Sequence, residues 1–159
     1  MGWFIHHVNI EAHDVPLSVA FYRDVLGLVQ GEWNYPEGSE LGLGADQLAV
    51  FGAYNRGIHI VNPDAAFQQR HGLAHNPTVG GHFAVNVPDA DAVKQRLEAS
   101  GHIVSDAGTY AMAGVRQLYV WDPFYNLVEI NAIVDESGGP GPAEGEAHAK
   151  RVERGGWHL

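Results

Sequence analysis

The chain has 159 residues, enough for one domain with a substantial core. Its 19 Asp and Glu outweigh 9 Lys and Arg, and the formal charge of -10 repels nucleic-acid backbones and anionic lipid. No cysteine is present, which excludes disulfides, thiolate metal ligands and a cysteine nucleophile, whereas ten histidines make imidazole the natural metal donor.

No apolar run approaches membrane-spanning length, and MGWFIHH lacks the basic region and long apolar core of a secretory signal. A cytoplasmic location is the expectation. No nucleic-acid or membrane partner is expected.

The first element reads as a strand, FIHHVNIE, in which neighbouring side chains face opposite ways. Phe4, Val8 and Ile10 form an apolar face that includes His6. His7, Asn9 and Glu11 form the polar face. Strand parity therefore makes His7 a candidate ligand and His6 a packing residue.

VPLSVAFYRDVLG follows as a helix, with Asp14 as N-cap, Pro16 in the first turn, Gly27 as C-cap and a stripe of Leu17, Phe21 and Val25. A Pro- and Gly-rich insert, NYPEGSELGLG, separates the second strand from the third. Trp33 and Tyr35 in or beside it are candidate pocket aromatics. LAVFGAYNRGIHIV then carries His59, and HGLAHNPTVGG, with His71 and His75, joins the two halves either as a cover over the cavity mouth or, the preferred reading, as a solvated loop.

The second half repeats the first. HVNIEAHD (7–14) and HFAVNVPD (82–89) each begin with His and end with Asp, so His7 and His82 occupy equivalent positions. ADAVKQRLEASG is the matching helix, with Asp89 as cap, Val93 and Leu97 on one face and Gly101 as the stop. LYVWDPFYNLVEIN aligns without gaps on LAVFGAYNRGIHIV, which sets Glu129 opposite His59. Tyr119 and Trp121 are further aromatic candidates, and Arg56 and Arg116 are candidate anion anchors.

The pattern predicts two β-α-β-β-β units, about 3–62 and 81–134, joined by a linker over 63–80 as one domain spanning 1–134. Gly, Pro and Glu over 135–159 predict a flexible tail. A mid-strand carboxylate such as Glu129 is costly to bury unless paired, protonated or metal-bound. With His7, His82 and the symmetry-related His59, it reads as a mononuclear site for Fe, Mn, Ni, Co or Zn. Asn9, Asn86 and Asn131 would line the same cavity.

At HHVNIEAHDVPLSVAFYRDVLGL, GGHFAVNVPDADAVKQRLEASG and RQLYVWDPFYNLVEINAI the chain resembles the vicinal oxygen chelate superfamily. That group includes glyoxalase I, methylmalonyl-CoA epimerase, extradiol dioxygenases, fosfomycin-resistance thiol transferases and bleomycin-binding proteins. The resemblance implies an α+β fold whose mixed sheets curve around a metal-binding cavity. It implies one divalent metal on His7, His82 and Glu129, with His59 at the fourth ligand position, where glutamate or glutamine is common. DPFYN (122–126) departs from the usual DPDGN-type turn.

The expected activity is a metal-dependent lyase or isomerase acting on a small oxygen-bearing substrate, with Glu129 and His59 as catalytic acid-base groups. Four protein donors favour that class, because a dioxygenase needs open positions for substrate and dioxygen. The alternatives are an Fe(II) extradiol-type dioxygenase and a non-catalytic drug- or metabolite-binding protein. A thiol transferase for fosfomycin is disfavoured, since no cation cluster for a phosphonate is evident. A homodimer is expected, with the site either within one chain or shared between two.

Overall fold

The computed structural model describes residues 3–36 and 43–134. The tail expected over 135–159 and the middle of the insert, 37–42, lie outside the described residues. Strand β1 (Phe4–Glu11) leads into α1 (Val15–Ala20), which runs on as a π-helical turn over Phe21–Val25. β2 (Leu48–Phe51), β3 (Gly57–Val61) and a one-turn α2 (Phe67–Arg70) follow. The second half is β4 (His82–Asn86), α3 (Ala90–Ala99), β5 (Ser105–Gly108), β6 (Val115–Trp121) and β7 (Leu127–Ile133).

The strands form one mixed seven-stranded sheet in the order β2-β3-β1-β4-β7-β6-β5. The halves join at the antiparallel β1–β4 pair. Each half has its own core. Val15, Val19, Ala49, Phe51 and Ile60 pack between α1 and the first half's strands, and Ala90, Leu118, Val120, Ile130 and Ala132 pack below α3.

The repeat is visible in the register. β1 runs parallel to β3 with Asn9 beside His59, and β4 runs parallel to β7 with Ala84 beside Glu129. Both helices begin where expected: Asp14 accepts from Leu17 N and Asp89 from Ala92 N, each at 2.9 Å. Gly27 and Gly101, just past the helix ends, take positive φ angles of 72° and 83°.

Four readings need correction. Among the described residues, the second strand of the first half shrinks to a single bridge between Gln30 and Phe51. Gly31 N still reaches Val50 O at 2.9 Å, but Trp33 then turns to the other half and donates Nε1–H to Ala111 O at 2.9 Å. The gapless alignment of the two hairpins also fails. Glu129 pairs with Tyr119, while its counterpart His59 pairs with Val50, so the two hairpins differ by one in register: the β6–β7 turn between Trp121 and Leu127 is one residue shorter than the β2–β3 turn between Phe51 and Ile58.

The expected stripe on α1 faces outward, with Leu17 68%, Phe21 49% and Val25 70% exposed. Val15, Val19 and the half-buried Tyr22 have the same helical spacing and form the inner face. Spacing alone cannot rank two apolar stripes on one helix.

The last correction lies in β1. Its register against β4 slips between Ile5–Val85 and His7–Ala84, so His6 is the extra residue of a β-bulge. Alternation breaks there, and His6 and His7 are both buried.

The β2–β3 turn is tightly built. Gly52 (φ 142°) and Gly57 (φ 115°) flank Tyr54 and Asn55, both in the left-handed region at 55° and 58°. A Cβ on Gly52 would land on the carbonyl oxygen of Arg56, and one on Gly57 would meet that of Phe51. We expect Gly52→Ala to cost about 2 kcal/mol or more in urea unfolding; a loss within experimental error would refute the clash.

Candidate metal centre

Three strands deliver three donors to one point. His7 from β1, His82 from β4 and Glu129 from β7 bring their ligand atoms together within one chain. His7 Nε2 lies 3.4 Å from Glu129 Oε2, and His82 Nε2 lies 2.8 Å from the same oxygen. The two imidazole nitrogens are 3.3 Å apart. Donors in neighbouring positions around an ion with bonds of about 2.1 Å stand about 3.0–3.4 Å apart. Two of the three separations fall in this range and the third, 2.8 Å, is slightly shorter, so a small outward shift of His82 would admit a divalent ion; the nitrogen and oxygen donors suit the first-row metals already named.

The surroundings hold this set in place. Glu129 is 1% exposed and its second oxygen, Oε1, accepts from Gln117 Nε2 at 2.9 Å. Gln117 Nε2 also donates to the Tyr119 hydroxyl at 2.9 Å, and that phenol is itself hydrogen-bonded to Glu129. Burial alone would push the Glu129 carboxyl up, but His7 and His82 outweigh it and hold the group well below the usual carboxylate range. Burial, then the Glu129 charge, raises the Tyr119 phenol well above its ordinary value, so it stays a donor.

His6 is part of the site through the bulge. Its Nδ1 lies 3.0 Å from His7 Nδ1. For His7 to offer the Nε2 lone pair to an ion, Nδ1 must carry the proton, and His6 Nδ1 then accepts it as a hydrogen bond. That contact fixes both tautomer and ring orientation, a support that metal-binding imidazoles usually have.

His59 is buried but does not join the three donors. Its ring stacks on that of His7 at 3.8 Å and 24°, and its Nε2–H donates to Asn55 O at 2.7 Å. Asn55 also ties the insert down, accepting from Asn34 N and donating to Asn34 O. Burial, reinforced by the neighbouring His7, keeps the His59 pKa well below its ordinary value. His59 is thus a neutral imidazole with its Nδ1 unprotonated, in the cavity wall.

The other candidates separate clearly. Trp33, Tyr119 and Asn9 line the cavity above the donors, whereas Tyr35 and Trp121 do not. Asn86 and Asn131 are buried deeper, without side-chain partners on Asn86 Oδ1 or on either Asn131 amide atom. Arg116 is paired with Asp91 and Asp106, and Arg56 lies over the Phe4 ring. Phe124 and Tyr125 project into solvent from a turn organised by Asp122, so they do not reshape the cavity.

The 63–80 linker is no solvated loop. Phe67, Leu73, Pro77 and Thr78 wall the cavity, and His75 is buried. Ser105 Oγ accepts from Ala74 N and His75 N at 2.9 and 3.1 Å, so its hydroxyl hydrogen is left for His75 Nδ1 at 2.6 Å. Sequence reasoning missed Gln117, although it stands two residues from Tyr119 and shares its strand face. It also missed Phe67, Tyr110 and Met112, whose place in the wall depends on the path of loops.

The comparisons with known proteins agree with this geometry. Residues 4–130 match the Glyoxalase/Bleomycin resistance protein/Dioxygenase superfamily. The chain belongs to this superfamily. No protein of curated function matches it significantly. Among solved superfamily-like structures, a hypothetical protein from Bacillus halodurans C-125 has 14% identity and a TM-score of 0.54, with 86% of this chain and 98% of that one covered. Methylmalonyl-CoA epimerase from Mycobacterium tuberculosis has 19% identity and a TM-score of 0.52, covering 87% and 88%. A superfamily member from Vibrio splendidus 12B01 has 17% identity and a TM-score of 0.50, covering 82% and 98%. These structures share the fold with the superfamily chain described here. The described residues include no helix long and apolar enough to cross a membrane.

Two outcomes test the centre. His6→Ala should weaken divalent-metal affinity about 10- to 100-fold in chelator competition while the fold persists by circular dichroism; unchanged affinity would remove the tautomer argument. Burial lowers the His75 pKa from 6.5. The unfolded chain therefore takes up that proton first as pH falls, and stability declines below about pH 6.5. His75→Asn should flatten the fall between pH 7 and 5 in denaturant titrations; an unaltered slope would show that His75 does not contribute.

Proposed function

We propose that the protein is a metal-dependent enzyme of the isomerase or lyase kind acting on a small molecule with two adjacent oxygens. The observation that carries this reading is the placement of two proton-accepting groups against His7, Glu129 at its Nε2 and His59 stacked on its ring face. A divalent ion held by His7, His82 and Glu129 would act as a Lewis acid toward the paired oxygens. His59, with Nε2–H committed to Asn55 O, has a free Nδ1 lone pair to take a proton from the neighbouring carbon. Glu129 is the second acceptor, and Gln117 and Tyr119 orient its carboxylate. Phe67, Leu73 and Pro77 of the linker, with Trp33 and Leu43, wall the space in which the reacting carbon would sit. The likeness to methylmalonyl-CoA epimerase supports proton-transfer chemistry on this fold.

A second reading is an Fe(II) extradiol-type dioxygenase. One specific observation favours it: among the described residues three donors converge, His7, His82 and Glu129, which is the 2-His-1-carboxylate set. The absence of His59 from the donors removes the argument that a full ligand set disfavours redox chemistry. A binding protein without turnover is the third. We also propose a cytoplasmic homodimer, supported by the outward apolar stripe of Leu17, Phe21 and Val25 on α1.

The deciding experiment follows metal-loaded protein in two assays. Isomerase or lyase chemistry predicts metal-dependent exchange of solvent deuterium into α-hydroxy ketone substrates, at least 100-fold slower in His59→Ala or Glu129→Gln. Oxygen uptake coupled to ring opening of catechols with Fe(II) would overturn it in favour of the dioxygenase. Unaltered metal content and ligand affinity in His7→Ala would favour the binding protein.

A further inference from the structure

The walls of the cavity say more about what enters it than the donors do. Beside the donors and His59, it is lined by the rings of Trp33, Phe67, Tyr110 and Tyr119 and by aliphatic side chains such as Leu73 and Met112. Among the described residues no lysine or arginine lines it. Among the described residues Glu129 is its one carboxylate, and besides the histidines the neutral polar side chains are Asn9, Thr78, Gln117 and the phenols of Tyr110 and Tyr119. Asn9 is committed to Pro77 O at 3.3 Å and Gln117 to Tyr119 and Glu129.

The nearby cations are already neutralised. Arg70, on the linker helix α2, is paired with Asp64. Arg116 binds Asp91 and Asp106, and Lys94 also binds Asp106. A phosphate or a second carboxylate entering here would lose hydration, meet no fixed positive side chain and approach a chain of charge -10. A ring would bury its faces against aromatic walls, in the usual pattern of an apolar site with a few placed polar groups.

We propose that the site takes an uncharged, largely apolar ring-bearing molecule with two adjacent oxygens, and that it rejects CoA thioesters and other polyanions. This rests on the metal-centre reading above for the role of the oxygens, and on the walls for the rest. The epimerase from Streptomyces coelicolor, solved with 2-nitronate-propionyl-CoA, has 17% identity and a TM-score of 0.52 with this chain. The shared fold does not supply this cavity with the cations that a CoA ligand's phosphates would need. Selectivity lies with Trp33 of the insert, with Phe67 and Leu73 of the linker and with Tyr110. The linker wall is fastened to the second half by a 2.9 Å contact between the Tyr110 hydroxyl and His71 Nε2.

The test uses the full chain, stripped of metal and then titrated with Mn2+, followed by calorimetric binding of catechol, 1,2-cyclohexanedione and methylmalonyl-CoA to both the Mn2+-loaded and the metal-free forms. At least one ring probe should bind the loaded form ten or more times more tightly than methylmalonyl-CoA. Phe67→Ala should weaken that probe about five- to tenfold while Mn2+ affinity holds. Failure of Mn2+ to bind would remove the metal centre alone, because the preference for ring over CoA is still read in the metal-free form. Equal or tighter binding of methylmalonyl-CoA, or no binding of either ring probe in any form, would overturn the proposal.

Discussion

A carboxylate that is 1% exposed in the middle of a sheet sets the terms for everything around it. An ionised Glu129 without partners would be far too costly to keep at that depth. The Gln117 amide and Tyr119 phenol hold the carboxylate, and a proton or a divalent ion shared between its Oε2 and the Nε2 atoms of His7 and His82 would make it tolerable. These partners come from three strands: β1, β4 and β6. The buried charge therefore ties the two halves together across the β1–β4 seam. The three donors it gathers all come from this one chain. Removing any one partner leaves a charge or a polar atom without compensation, so the support around Glu129 behaves as a unit.

The internal repeat supplies the geometry for this arrangement. In each half, a strand starting the unit runs parallel to the strand ending it, and the matched pairs are Asn9 with His59 and Ala84 with Glu129. His7 and His82 are thus related by the same operation as His59 and Glu129. The two halves differ in what the last strand contributes. One ends in a carboxylate aimed at the donors. The other ends in an imidazole turned to a backbone carbonyl of its own hairpin.

How far this was legible in the chain depends on the range of the interaction. His7, His82 and Glu129 follow from strand parity and the repeat, because both are local rules that the sheet obeys at those positions. The caps at Asp14 and Asp89 are local too. His6 was misplaced because a bulge inserts one residue, and nothing in the alternation of FIHHVNIE announces it. His59 was placed on the correct strand, but its partner was missed, since Asn55 reaches it only through two consecutive left-handed residues. The burial of the linker is not legible locally, because Pro and Gly mark turns without saying what they cover. Its burial follows from long-range anchors, Ser105 for His75 and Tyr110 for His71, which have no signature in the local sequence.

The imidazole at the position symmetry-related to Glu129 has an electrostatic consequence. With a second carboxylate there, two buried anions would offset a divalent ion in full, and an incoming anionic oxygen would find little net attraction. With His59 neutral, only Glu129 contributes negative charge, and a divalent ion in the site would retain about one positive charge. One ionised oxygen of a chelating pair would then neutralise the centre, and a second would exceed it. The apolar walls sharpen this limit, because excess charge in a dry cavity has no water to screen it. A three-donor set with a neutral His59 would thus narrow the proposed ligand to one that develops a single negative charge at the metal and carries none elsewhere.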